Sequence, residues 1–227
     1  MRPIEAFPTR DDLADAAAQA VADALAGPGP RTLVAAGGST PGPVYDRLAG
    51  RDLSWEGVTV TLTDERWVDP GSDQSNEGLI RRRLMVDKAA VARFLALKGA
   101  GATPDVDAAV ADRALSGALP AAVVLLGMGD DGHVASLFPG IPELAIGLDL
   151  DGPRRVIAVA RAGLEPFVPR ISLTAHALVD TGAVILLISG PAKRAVIERI
   201  GADPPYAPPV ATILRQDRTP VRILWAA

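Results

Sequence analysis

Strand-length apolar runs alternate along this chain with stretches of helical periodicity, and glycine-rich turns separate them. Asp11 to Ala26 reads as an alanine-rich helix, with Thr9 placed to cap it and Gly27 to end it. Arg31 to Ala36 is a short apolar strand that runs straight into Gly37-Gly38-Ser39-Thr40-Pro41, and a helix follows as far as Leu48. Val58 to Thr63, rich in β-branched residues, predicts a second strand. Ser75 to Met85 predicts a helix, Phe94 to Lys98 a short strand, and Asp105 to Ala118 a helix leading into the strand Ala121 to Leu126. Further on, Val156 to Ala160 predicts a strand, Ile171 to Val179 a helix, Val184 to Ile188 an apolar strand, and Ala192 to Ile200 a helix opened by Pro191. A proline-rich turn from Pro204 to Pro209 precedes a last helix and the strand Val221 to Trp225.

Repeated strand–turn–helix units with fully apolar strands argue for the α/β class: a mainly parallel sheet with helices on both faces, a Rossmann-like three-layer sandwich. No repeat or low-complexity linker divides the chain, so residues 1–227 are expected to form one domain. In such sheets ligands bind beyond the carboxyl ends of the strands, where the turns into helices gather. Turns beginning at Gly37, Asp64, Gly127 and Gly190 stand in that position and carry unusual chemistry.

Composition narrows the partners. Hydrophobic residues at 48% supply a core, and a net charge of −4 gives no general attraction to a phosphate backbone, so no nucleic-acid partner is expected. Arg81, Arg82 and Arg83 form the sole basic run, and consecutive helical positions fan out around the helix. Cysteine is absent, which removes disulfides, thiolate nucleophiles and zinc–thiolate sites together. The N-terminus does not read as a secretion signal, and the longest apolar stretches, such as Ala183 to Ile188, are far short of a bilayer span. A cytoplasmic protein without a membrane partner is expected.

Glycines in the Gly37 turn let the backbone approach a ligand, and the amides opening the next helix favour an anion. Ser39 and Thr40 add hydroxyls, and Pro41 suits a first helical position. The plainer alternative is a tight turn in which Ser39 or Thr40 caps the helix. The spacing does not fit a nucleotide P-loop, because the lysine before the hydroxyl is missing.

Gly127, Gly129 and Gly132 match G-x-G-x-x-G after a strand, the dinucleotide fingerprint. Two features oppose that assignment. Asp130 and Asp131 put negative charge where a pyrophosphate would sit, and Pro139 cuts the continuation short of a long helix. Asp131 and His133 read better as a working pair, since a carboxylate can fix the tautomer of an imidazole that exchanges protons near physiological pH. The alternative is a histidine that merely closes a turn. His176, the other histidine, sits in a helical stretch and reads as packing, and neither histidine has partners at metal-ligand spacing. Arg66 either forks onto an anion or pairs with Asp64 or Glu65 as scaffolding. Ser75 reads as a helix cap, and Lys193 and Arg170 stand near helix starts.

Taken in order, these segments resemble the 6-phosphogluconolactonases of the pentose phosphate pathway. The matching stretches are Gly37 to Pro41, Asp64-Glu65-Arg66 with Ser75-Asn76, Gly127 to Pro139, Arg170 to Thr174, and Gly190 to Lys193. Nearly the whole chain is covered, and the 127–139 stretch is its most specific part. The glucosamine-6-phosphate deaminases share the fold, but their D-G-H is followed by A-F-N-E-P where this chain has Ala135-Ser136-Leu137-Phe138-Pro139. Glu77, where an aromatic is common, and Asp130 depart from the family pattern.

The resemblance implies hydrolysis of 6-phospho-D-glucono-1,5-lactone without a cofactor or metal. It further implies that His133 activates water, that Asp131 orients the imidazole, and that Gly38, Ser39, Thr40, Arg170 and Lys193 hold the 6-phosphate, with Arg66 also on the substrate. A sugar-phosphate lactone is then the partner, and a monomer or small homo-oligomer the assembly. The competing readings are a deaminase of amino-sugar phosphates and a sugar-phosphate sensor without turnover.

Overall fold

The computed structural model describes residues 2–29, 31–161 and 167–227. The chain opens with a strand that its sequence pattern does not announce, β1 (Ile4–Phe7), followed by helix α1 (Arg10–Ala26). A capping box starts α1: Thr9 Oγ1 accepts the Asp12 amide at 3.0 Å, and the Asp12 carboxylate accepts the Thr9 amide at 3.2 Å. Strand β2 (Thr32–Ala35), helix α2 (Gly42–Ala49) and strand β3 (Thr59–Leu62) follow as expected. Next come β4 (Asp64–Arg66), α3 (Asn76–Arg83), β5 (Arg93–Phe94), α4 (Pro104–Leu115) and β6 (Val123–Leu126). The second half holds α5 (Leu144–Leu148), β7 (Val156–Val159), β8 (Arg170–Leu173), α6 (Ala175–Val179) and β9 (Val184–Ser189). Helices α7 (Pro191–Ala202) and α8 (Pro209–Arg215) and strand β10 (Val221–Ala226) complete the chain.

Seven strands form a parallel sheet in the order β1-β10-β9-β6-β2-β3-β5. Every residue of the central strands β2 and β6 is buried, which is why both read as unbroken apolar runs. The mainly parallel α/β architecture therefore stands, with one addition. A separate antiparallel sheet, β4-β8-β7, lies beyond the large one. Thr63 is the junction: its amide reaches Ala35 of the large sheet at 3.0 Å, while its carbonyl accepts the Leu173 amide of the small sheet at 2.9 Å.

The small sheet corrects two expectations. Residues 171–179 do not form one helix; the stretch divides into β8 and the short α6, with Thr174 Oγ1 capping the latter through the Ala177 amide at 3.3 Å. Asp64-Glu65-Arg66, expected as a turn, is a strand paired residue for residue with Ser172, Ile171 and Arg170. Pairing partners distant in sequence override local preference in both places. The strand expected over 94–98 shrinks to β5 at the sheet edge. No helix among the described residues is long and apolar enough to cross a membrane.

Candidate active site

Strand order decides which turns meet. β2 and β6 are neighbours, yet the chain leaves β2 toward β3 on one side and leaves β6 toward β9 on the other. Such a reversal opens a crevice at the carboxyl ends of the strands. The Gly37 turn and the Gly127 loop flank it, the turn after β9 adds Lys193, and the crossing from β3 to β4 adds Asp64 and Arg66. With Arg170 of β8 and Asn76 of α3 they line one cleft of about 270 Å³.

On the Gly37 side, Gly38 takes φ 99°, a value that favours glycine. A Cβ at Gly37 would collide with the Asn76 amide group, so only glycine lets that side chain close the wall. Pro41 is the capping position of α2 rather than its first helical residue, and its carbonyl accepts the Val44 and Tyr45 amides at 3.0 and 3.2 Å. Neither Ser39 nor Thr40 caps the helix. Thr40 Oγ1 lies 3.3 Å from Ser189 Oγ, and Ser39 is exposed, so both hydroxyls remain at the cleft wall.

Across the crevice, Asp131 Oδ1 sits 2.6 Å from His133 Nδ1 and accepts the His133 amide at 3.0 Å. An ionised carboxylate only accepts, so in the neutral imidazole Nδ1 is the nitrogen that carries the proton and Nε2 the one with the lone pair. The His133 side chain lines the cleft and is 26% exposed, enough for a small molecule to reach it. Asp131 stays behind the imidazole and does not line the cleft. Gly129 leaves room for the ring, because any Cβ there would strike it. Gly132, at φ 79°, passes its carbonyl to the Val210 amide at 2.9 Å and so ties the loop to α8.

The loop's exit is equally anchored. Ala135 takes φ 49°, a strained value for a residue with a side chain. Ser136 Oγ donates to Asp64 Oδ2 at 2.6 Å, and the Ser136 amide donates to Ser172 Oγ at 3.0 Å. Leu137 is buried with Ile157 and Val159 in a small satellite core.

A buried carboxylate organises the wall formed by β4 and α3. Glu65 accepts the amides of Arg66, Asn76 and Glu77 and the Ser75 hydroxyl, all at 2.7–2.8 Å. Burial pushes its carboxyl above the usual range, and the four donors pull it partly back. Ser75 caps α3 as expected, accepting the Gly78 amide at 3.0 Å. Asn76 donates to the Asp64 carbonyl at 2.7 Å and accepts Arg66 Nη1 at 2.8 Å. The Arg66 guanidinium therefore pairs with neither Asp64 nor Glu65; it donates to Asn76 Oδ1 and, at 3.3 Å, to the Gln74 carbonyl. Glu77 turns instead to Arg81 at 2.8 Å.

Arg170 lies on β8 rather than before a helix, in register with Arg66 and 3.8 Å from Asp64 Oδ2. Burial holds its guanidinium below the ordinary arginine value, while Asp64 pulls the other way. His176 Nδ1 lies 3.0 Å from the Leu150 carbonyl, a packing role outside the cleft. The expected residues Gly38, Ser39, Thr40, Arg66, His133, Arg170 and Lys193 thus converge on one cleft, with Asp131 behind the imidazole. Sequence reasoning assigned no site role to Asp64, Asn76 or Phe138. Gly37 carries the signal for Asn76, though only contact across the fold makes it readable.

A glycine–hydroxyl turn, two arginines and a lysine thus share a cleft with a histidine–aspartate pair at the switch point of a parallel sheet. Residues 8–225 match the family of glucosamine-6-phosphate isomerases and 6-phosphogluconolactonases, and the chain belongs to that family. Within it, the 6-phosphogluconolactonase of Caulobacter vibrioides is 49% identical over 227 residues, covering 98% of this chain and 97% of its own length. That of Rhizobium meliloti is 41% identical over 216 residues, covering 94% of this chain and 92% of its own. The crystal structure of a 6-phosphogluconolactonase from Shewanella baltica superposes with a TM-score of 0.91 at 32% identity, covering 100% of this chain and 98% of its own.

Proposed function

We propose that the chain is a 6-phosphogluconolactonase, hydrolysing 6-phospho-D-glucono-1,5-lactone to 6-phospho-D-gluconate with His133 as general base. The observation that carries this reading is an imidazole backed by Asp131 and a set of glycine, hydroxyl and cationic groups lining the same cleft. The names of the relatives point the same way.

Gly38, Ser39, Thr40, Arg170 and Lys193 hold the 6-phosphate and so fix the ring relative to His133. His133 Nε2 takes a proton from water, the hydroxide adds to the lactone carbonyl, and Asp131 stabilises the imidazolium that forms. The tetrahedral oxyanion meets either Arg66 or loop amides, and one such donor contributes about 2.7–4 kcal/mol. The ring carbon–oxygen bond then breaks, and the departing oxygen takes the proton from His133. The same reading sets the enzyme in the cytoplasm, where a phosphorylated sugar is retained because its own charge bars it from the membrane interior.

The test is a coupled assay on freshly prepared lactone, corrected for spontaneous hydrolysis. The parent is expected to accelerate ring opening, and His133→Ala to lower kcat by roughly 10²–10⁴-fold. Glucosamine 6-phosphate is expected to release no ammonia. A His133→Ala variant at parental rate overturns the base assignment, and ammonia release without lactone hydrolysis overturns the reaction.

A further inference from the structure

We propose that Phe138 is a positioning residue: an aromatic spacer that fixes the plane of the His133 imidazole and its separation from Arg170. The two rings are stacked, with centroids 3.9 Å apart and planes 25° from parallel. The Arg170 guanidinium carbon lies 5.2 Å from the centre of the same Phe138 ring. One side chain therefore touches both groups that the proposed reaction needs on either side of the lactone.

Hydrogen bonding by itself leaves both groups loose. Asp131 grips the imidazole at Nδ1 alone, a hinge about which the ring can still swing and carry Nε2 with it. With the His133 side chain 26% exposed, solvent would accept that swing on the cleft side. A flat surface under the ring removes this freedom. The tie from Arg170 to Asp64 is long, at 3.8 Å, and Arg170 Nε has no hydrogen-bond partner among the described residues. The arene is thus a main constraint on the guanidinium as well.

Phe138 can serve as a spacer because the two residues before it are anchored and its ring packs on the satellite core. Two residues upstream, Ser136 is bonded to Asp64 and Ser172, which belong to β4 and β8, the strands that carry Arg66 and Arg170. Leu137 is sunk in the satellite core with Ile157 and Val159 of β7. Any shift of β8 therefore moves Arg170, Phe138 and His133 together, and the distance across the cleft is preserved.

The chain contains only two histidines, which makes the proposal directly readable by proton NMR. In the parent, the ring protons of His133 are expected to be displaced by the aromatic ring current of Phe138, with assignment confirmed by their loss in His133→Ala. In Phe138→Leu that displacement disappears, while the His176 signals, set by the Leu150 carbonyl contact, stay in place and report an intact fold. Phe138→Met serves the same purpose if the leucine variant does not fold.

The kinetic arm rests on the lactonase reading. There kcat falls on the order of 10- to 100-fold in Phe138→Leu with a smaller change in KM, as expected when a reacting group is misplaced rather than removed. Phe138→Tyr, which keeps a flat ring, restores most of the rate. Undisplaced His133 protons in the parent overturn the inference whatever the substrate proves to be. So does a Phe138→Leu enzyme that loses the displacement but keeps kcat. Absence of lactone hydrolysis in the parent instead strikes the functional reading and leaves the NMR result to decide the spacer.

Discussion

An ionised Asp131 has only lone pairs to offer, so its 2.6 Å contact favours the imidazole tautomer with the proton on Nδ1 and the lone pair on Nε2. Asp131→Asn tests that selection. An amide can present N–H to Nδ1 and favour the opposite tautomer, so kcat is expected to fall about 10²-fold or more while KM stays near the parent value. Initial rates across substrate concentration separate the two, and an unchanged kcat counts against the pair. Lys193→Gln belongs to the binding side, and its expected effect is a raised KM with a lesser change in kcat. Glu65 acts one step further out, through the Ser75 hydroxyl and three amides that converge on it. Glu65→Gln turns one acceptor into a donor facing donors, which is expected to cost roughly 1–3 kcal/mol in urea denaturation. The Asp131–His133 pair was legible from sequence because its members are two positions apart on a glycine-loosened loop. The Glu65 hub was not, since three of its four partners lie ten to twelve positions away and Glu65 itself sits on an unforeseen strand.

Among the elements, the 127–139 loop does most to shape the site, and its glycines hold distinct posts. Gly129 makes room for the imidazole, whereas Gly132 combines a positive φ of 79° with a close approach to Pro208. Gly132→Ala is expected to lose about 1–2 kcal/mol from the backbone conformation alone. The collision with Pro208 adds to this and loosens the tie to α8 through Val210. Thermal unfolding reads the stability loss, and kcat should fall with it because the same carbonyl tie orients the loop. A variant as stable as the parent would show that the loop tolerates another path. Most helices and the buried strands of the large sheet were readable in the sequence to within a few residues, since caps such as Thr9 and runs such as Val184 to Ile188 act locally, whereas α5 was not foreseen. β1, β4 and β8 were not readable as strands. Each is short, and each becomes a strand only through a partner far along the chain.

For the whole molecule, the large sheet joins the two ends of the chain, with β1 paired to β10 in parallel register. Arg222 holds Glu5 across that edge through two contacts of 2.7 and 2.8 Å and keeps the Glu5 carboxyl below its ordinary value. A depressed carboxyl contributes stability above the unfolded-state value, and that contribution is lost as pH falls through the folded-state value. Both side chains are more than a third exposed, so solvent screening limits the pair to about 1 kcal/mol or less. Glu5→Gln is therefore expected to be slightly less stable than the parent at neutral pH and equal to it in acid below the carboxylate range. Denaturant titrations at the two pH values check the sign, and a gap that widens in acid would refute it. The sequence by itself determined the α/β class, the polar turns at the strand ends and the local His133–Asp131 contact, because periodicity, capping and two-residue spacing are properties of neighbouring positions. Only the tertiary structure decided that β2 and β6 lie side by side while their chains diverge, which turns separate loops into one cleft, and that a second sheet brings Asp64 and Arg170 to its wall. Strand order is a pairing energy summed over distant segments, and no local pattern encodes it.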